Sequence, residues 1–185
     1  MLRACVRAGH EVAAVFCPPD DTSVGELARR WEIPTLQAGT LTGDTMPGGV
    51  DLGIAAHSFD YVGKRTRYAA RLGWVGYHPS LLPRHRGRSA IVWTLKMGDP
   101  ICGGTWYWLN SGVDRGDIAA QEWLWVDPAL RLMPPAKAAR ALWRDEIAPA
   151  GIRMLEALLP KIASGERPAA SQDERFASWE PSVDV

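Results

Sequence analysis

Gly73-Trp74-Val75-Gly76-Tyr77-His78-Pro79-Ser80-Leu81-Leu82-Pro83 decides how this chain is read. The apolar run ending at His78 predicts a buried strand, and the prolines that follow predict a rigid loop. A histidine at the last position of such a strand projects at the mouth of the sheet. Open α/β sheets put their ligands at that end.

Working outward, the elements alternate. On the N-terminal side, Asp51 to Ala56 predicts a continuous apolar strand ending at His57-Ser58, and Lys64 to Arg71 a short basic helix. Earlier still, a helix stopped at Gly9 precedes a strand from about Glu11 to Phe16. A helix over Ser23 to Trp31 and a short edge strand at Ile33-Pro34-Thr35 come next, and Gly39 to Gly49 reads as loop. On the C-terminal side, Ser89 to Met97 predicts a helix stopped by Gly98. Cys102 to Leu109 and Ile118 to Val126 predict an antiparallel hairpin. If Trp106 faces Trp123 across it, Trp108 and Trp125 share that face by period-two geometry, as an aromatic face packed on a helix. Residues from about Pro135 to Ser164 are helical in pattern, with a bend at Pro149, and an extended polar tail follows from Gly165. The expected fold class is α/β, a Rossmann-like, mostly parallel sheet with an antiparallel hairpin extension. Its expected division is a catalytic domain over 1–165 and a tail over 166–185.

The bulk numbers narrow the function. A chain of 185 residues that is 46% apolar can bury one sizeable core. Lysine plus arginine equals aspartate plus glutamate at 21 each, so the basic excess of a nucleic-acid binder is absent. Cys5, Cys17 and Cys102 are widely spaced with no CxxC, which argues against a disulfide framework or a zinc site; no metal is expected. No apolar stretch approaches the roughly 20 residues that cross a bilayer, and a reducing, cytoplasmic setting is the expectation. Exposed tryptophan surface makes a second copy of the chain a candidate partner.

Two segments carry the chemistry. His78 is one. Ser111-Gly112-Val113-Asp114-Arg115-Gly116-Asp117-Ile118 is a glycine-flanked acidic loop able to bring a carboxylate to it. A carboxylate beside an imidazole orients its tautomer and favours its protonated form, which is what a general acid/base unit needs. Taken singly, a histidine is more often structural and Asp114 a turn former. Arg84, His85, Arg86 and Arg88 form a basic loop suited to an anionic group, or to a solvated surface.

His78-Pro79-Ser80-Leu81-Leu82-Pro83, Arg86-Gly87, and Val113-Asp114 with Gly116-Asp117-Ile118 resemble the formyltransferase superfamily. The resemblance is greatest to the N-terminal hydrolase domain of 10-formyltetrahydrofolate dehydrogenase, through Ser89-Ala90-Ile91 and Trp93-Thr94-Leu95, and covers nearly all of residues 9–180. It extends to the glycinamide ribonucleotide and methionyl-tRNA formyltransferases. It implies a 10-formyltetrahydrofolate donor, with His78 and Asp114 as the catalytic pair. It also implies folate contacts from Phe59, Asp60, Tyr61 and Val62, which follow Ser58, from Ser80 and Leu82, and from Asn110 and Ser111 beside Leu109. The implied activity is transfer of the formyl group to an amine of a small acceptor. Water as the acceptor, giving a hydrolase, is the near alternative, and a non-catalytic folate- or partner-binding protein the distant one.

Three departures from the family stand out. Its transferases carry an asparagine two residues before the histidine, on the same face of the strand; this chain has Gly76. Losing such an oxyanion donor typically costs about a hundredfold to a thousandfold in rate. The dehydrogenase's hydrolase domain also lacks it. The family's first central strand has no counterpart before the helix at Met1, which implies truncation or replacement by another segment. No C-terminal β-barrel follows the long helix, so a complete methionyl-tRNA formyltransferase is not expected.

Overall fold

The computed structural model describes residues 1–58 and 60–183 and divides into two compact units, Met1–Gly76 and Tyr77–Val185. In the first, α1 (Leu2–Arg7) leads to β1 (Val15–Cys17), α2 (Val24–Arg30), β2 (Thr35–Gln37), β3 (Gly53–Ala56) and α3 (Lys64–Ala69). The chain then enters β4 (Trp74–His78), within which the division falls. β1 and β2 pair in parallel, Phe16 opposite Leu36, and form a sheet of their own. The β1 strand is shorter than the apolar run predicted, because residues 11–14 make no ladder. β3 lies beside β4 in a different sheet, and among the described residues no strand joins β1 to β3.

A local reason for the β3–β4 pairing is Gly53. A Cβ there would fall inside the Trp74 indole, whose Nε1 donates to the Thr66 carbonyl at 3.0 Å. The missing side chain lets one large aromatic lie flat on the neighbouring strand.

In the second unit, the end of β4 is followed by α4 (Ala90–Met97), β5 (Ile101–Trp108), β6 (Ile118–Trp125), α5 (Pro135–Leu142) and α6 (Ala148–Ala163). α4 ends on Gly98 in the left-handed conformation, φ 68°, as its glycine stop predicts. α5 and α6 are joined through a π-helical turn, Trp143–Ile147, directly before Pro149. Pro149 has no N–H to continue the ladder, and the wider turn accommodates this without breaking the helix.

The hairpin is antiparallel, but its register differs from the tryptophan pairing anticipated. Trp106 lies opposite Ala120, Trp123 opposite Gly103 and Trp125 opposite Ile101, with an irregularity between Trp106 and Tyr107. Trp106 and Trp108 are buried and donate to the carbonyls of Gly151 and Pro168, at 2.9 and 2.8 Å. Trp123 and Trp125 are exposed and meet edge to face. The helix-packed aromatic face is therefore made by the β5 pair, with Tyr77 against Trp106.

The polar segment after α6 is not a free tail. Ala170 exchanges both backbone hydrogen bonds with Ile118, at 2.7 and 2.9 Å. Arg86 N–H donates to the Ser178 carbonyl, and Ser178 N–H to that of Pro83. The tail thus runs back along the loop that follows His78. Among the described residues no helix is long and apolar enough to cross a membrane.

Candidate active site

The structure brings His78 and Asp114 near each other, and both are buried. His78 Nδ1 lies 3.6 Å from Asp114 Oδ2, too far for a direct hydrogen bond. His78 Nε2 lies 2.7 Å from the backbone carbonyl of His85. A carbonyl oxygen only accepts, so Nε2 carries the proton. The other ring nitrogen, Nδ1, therefore faces the carboxylate. A proton arriving at Nδ1 meets a negative charge already in place, which is the arrangement of a base whose charged form is stabilised when it forms.

Asp114 is fixed from two sides. Tyr107 Oη donates to Oδ1 and the Gly87 N–H donates to Oδ2, each at 2.7 Å. Burial, and then the carboxylate beside it, push the Tyr107 phenol far above its ordinary range, so it remains a donor. Asp114 itself has φ 53°, a left-handed conformation that aspartate tolerates better than most residues. Its carbonyl and that of Gly116 accept from Gln172 Nε2 at 2.9 and 2.7 Å. The tail therefore braces the acidic loop too.

The basic loop departs from the expectation of a free anion site. Arg86 is buried with its guanidinium spread over Glu174, at 2.6 and 2.9 Å, and Gln172, at 2.7 and 3.2 Å. His85 is buried between Asp99, at 2.8 Å, and Glu180, at 3.0 Å, and Arg84 forks onto Asp99. Arg84 and Arg86 are paired with carboxylates of the chain itself, which also flank His85; Arg88 is exposed. Glu174 and Glu180 of the polar tail are the acidic partners of this loop, together with Asp99.

The Asp99 carboxyl is held below the ordinary carboxylate range: burial acts to raise it, but hydrogen bonds from Arg84 and His85 and their charges outweigh this. With its folded value below its unfolded one, Asp99 contributes stability that is full above the unfolded value of about 3.9 and is lost as pH falls through the folded value. Asp99→Asn should lower Tm at neutral pH, with the gap to wild type narrowing in acid. Thermal scans across that range check this, and a gap constant with pH contradicts it.

The remaining anticipated contacts are dispersed. In the first unit, Asp60 Oδ1 accepts from the N–H groups of Gly39 and Leu41, at 2.8 and 3.0 Å; Tyr61 is exposed and Val62 buried. Phe59 lies outside the described residues. In the second unit, Ser80 Oγ donates to the Arg84 carbonyl, and Thr105 Oγ1 is shared by Ser80 O, Leu82 N and Gln121. Ser80 and Leu82 thereby shape the loop from within. Asn110 and Ser111 are exposed at the tip of the hairpin, where Asn110 Oδ1 caps the Gly112 N–H.

An α/β chain with a buried histidine at a strand end, backed by a carboxylate from a glycine-flanked loop, defines the class. The formyl transferase family profile matches residues 1–132, and the chain belongs to that family. It is 31% identical over 186 residues to human cytosolic 10-formyltetrahydrofolate dehydrogenase, covering 93% of this chain and 20% of that protein. It is 29% identical over 192 residues to methionyl-tRNA formyltransferase of Chloroflexus aurantiacus, covering 96% of this chain and 59% of that one. The chain thus spans about a fifth of the dehydrogenase. Among solved structures it resembles glycinamide ribonucleotide transformylase 1 from Symbiobacterium toebii, with TM-score 0.70 and 24% identity over 93% of this chain and 88% of that one.

Proposed function

We propose that the chain takes the formyl group of 10-formyltetrahydrofolate and passes it to an amine of a small acceptor, with His78 and Asp114 as the catalytic pair. The observation that supports this best is the tautomer of His78. With Nε2 committed to the His85 carbonyl, Nδ1 is the nitrogen that takes a proton, and Asp114 Oδ2 stabilises the resulting imidazolium. In the reaction the acceptor nitrogen attacks the formyl carbon and its excess proton passes to Nδ1. The bond from that carbon to N10 then breaks, N10 recovers the proton, and tetrahydrofolate leaves. Phe59, Asp60, Tyr61 and Val62, Ser80 and Leu82, and Asn110 and Ser111 are proposed as the folate contacts, on the strength of the family resemblance. The exposed ring of Tyr61 and the exposed polar groups of Asn110 and Ser111 are available for that role.

Gly76 favours a second reading, with water as nucleophile and formate as product, because it offers no side-chain donor on the His78 face of β4. Donor labelled in the formyl group separates the two. Transfer puts label into an added amine such as glycinamide ribonucleotide, and hydrolysis puts it into formate whatever amine is present. Label remaining in the folate under both conditions would remove both readings. Gly76→Asn should restore a donor and raise the ratio of formylated amine to formate by roughly tenfold, a conservative share of what one oxyanion donor supplies. The same label partition checks it, and an unchanged ratio argues that another group already serves the oxyanion.

A further inference from the structure

We propose that Glu180, on the segment after α6, is a positioning residue for His78, acting through His85. It rests on the reading of His78 as the proton carrier and names what keeps that ring in the required tautomer. The acceptor for His78 Nε2 is the backbone carbonyl of His85, and nothing in a carbonyl fixes its own direction. The peptide must be held by its neighbours, and His85 has φ 57°, a conformation costly for a residue with a Cβ.

Four contacts hold it. His85 N–H donates to Ser178 Oγ at 2.9 Å, and Arg86 N–H to the Ser178 carbonyl at 3.0 Å. His85 Nε2 meets Asp99 Oδ2 at 2.8 Å, and Nδ1 meets Glu180 Oε2 at 3.0 Å. Three of the four come from the tail.

The last contact is the informative one. Asp99 is anchored by Arg84 and accepts the proton on His85 Nε2, which leaves Nδ1 of a neutral ring with a lone pair. Glu180 Oε2 lies 3.0 Å from Nδ1 and closes that side of the ring by position, although the pair does not have hydrogen-bond geometry. Both atoms are sealed from solvent and neither has a hydrogen-bond partner among the described residues, so their approach to each other is the contact these buried atoms have. The charged groups around the ring are thus Asp99, Glu180 and, through Asp99, Arg84. Together they clamp His85 at both nitrogens, as a ring that must not turn would be clamped. Glu180 is buried, and the His85 ring is its ion-pair partner.

The test uses the full chain and two variants. In wild type the ¹⁵N resonances of the His78 imidazole should report a proton on Nε2. Glu180→Ala should mix the two tautomers of His78 and lower kcat by about tenfold, the effect of one lost orienting contact, with KM for the folate unchanged. Glu180→Gln, whose amide donates to the Nδ1 lone pair of a neutral His85, should restore both the resonances and kcat. His78 resonances that are identical in wild type and Glu180→Ala would overturn the proposal, as would lowered thermal stability with an unaltered tautomer. If Glu180→Ala does not fold, Glu180→Gln decides alone, and mixed His78 tautomers in that variant overturn it. Because the resonances are read without turnover, an inactive wild type would count against the formyl-transfer reading and leave this inference to be judged on the ring.

Discussion

His78→Ala and Asp114→Ala should each lower the rate of tetrahydrofolate formation from 10-formyltetrahydrofolate by roughly 10²–10⁴-fold, and the double variant should be no slower than the worse single. The magnitude is that of a positioned proton handler. The non-additivity follows from the geometry. Asp114 acts in the proposed reaction through the proton at His78 Nδ1, so once the imidazole is gone its charge has no task. Asp114→Asn refines the test: it keeps the size and the Gly87 and Tyr107 neighbours but removes the charge that stabilises the imidazolium. It should fall in the same range as alanine. Losses that multiply in the double variant would show that the two side chains work independently.

The second large effect is on stability. A Cβ at Gly116 would lie within the carbonyl oxygen of Trp108, a backbone atom that cannot rotate away. The neighbouring Trp108 N–H is bonded to the Asp117 carbonyl at 2.9 Å, and Gly116 C=O to Gln172. Gly116→Ala must therefore part the loop from the end of β5 and strain its tie to the tail. The expected cost is about 3 kcal/mol, the upper part of the range for overpacking. For a chain of this size that corresponds to a fall in Tm of roughly 6–12 °C. Near-ultraviolet circular dichroism follows it well, since Trp106 and Trp108 are buried beside the hinge of the change. An unchanged Tm would mean that the backbone there has slack the geometry does not show. Asp114 stands two residues away, so turnover should fall with stability.

The proposed pair was legible through the family resemblance, since His78 and Asp114 taken singly read as a structural histidine and a turn former, while local signals placed the elements that carry them. His78 ends a run of five buried positions, and a strand whose last residue is a histidine before proline leaves little choice about where the ring goes. Asp114 is marked by the glycines around it, and α4 by its terminal Gly98. What sequence did not show is long-range and polar. His85 and Glu180 are partners 95 positions apart, and a polar segment after a helix reads as solvated when its partners are not known. Arg84, His85 and Arg86 then read as a free basic cluster, when Asp99, Glu174 and Glu180 were already committed to them. The tryptophan pairing failed for a different reason: register is set by the turn and by the irregularity at Trp106 and Tyr107, and period two within a strand says which residues share a face but not which ones meet.

Release of tetrahydrofolate from 10-formyltetrahydrofolate through His78 and Asp114 is the step on which the proposed function stands. Its most direct test is a single-turnover experiment with enzyme in excess over donor, following tetrahydrofolate absorbance with an amine acceptor present and absent, beside the His78→Ala, Asp114→Ala double variant. The account predicts tetrahydrofolate in step with wild-type enzyme, and none above the uncatalysed background with the double variant. Equal release by the two proteins, or none from wild type that binds the folate, would contradict it.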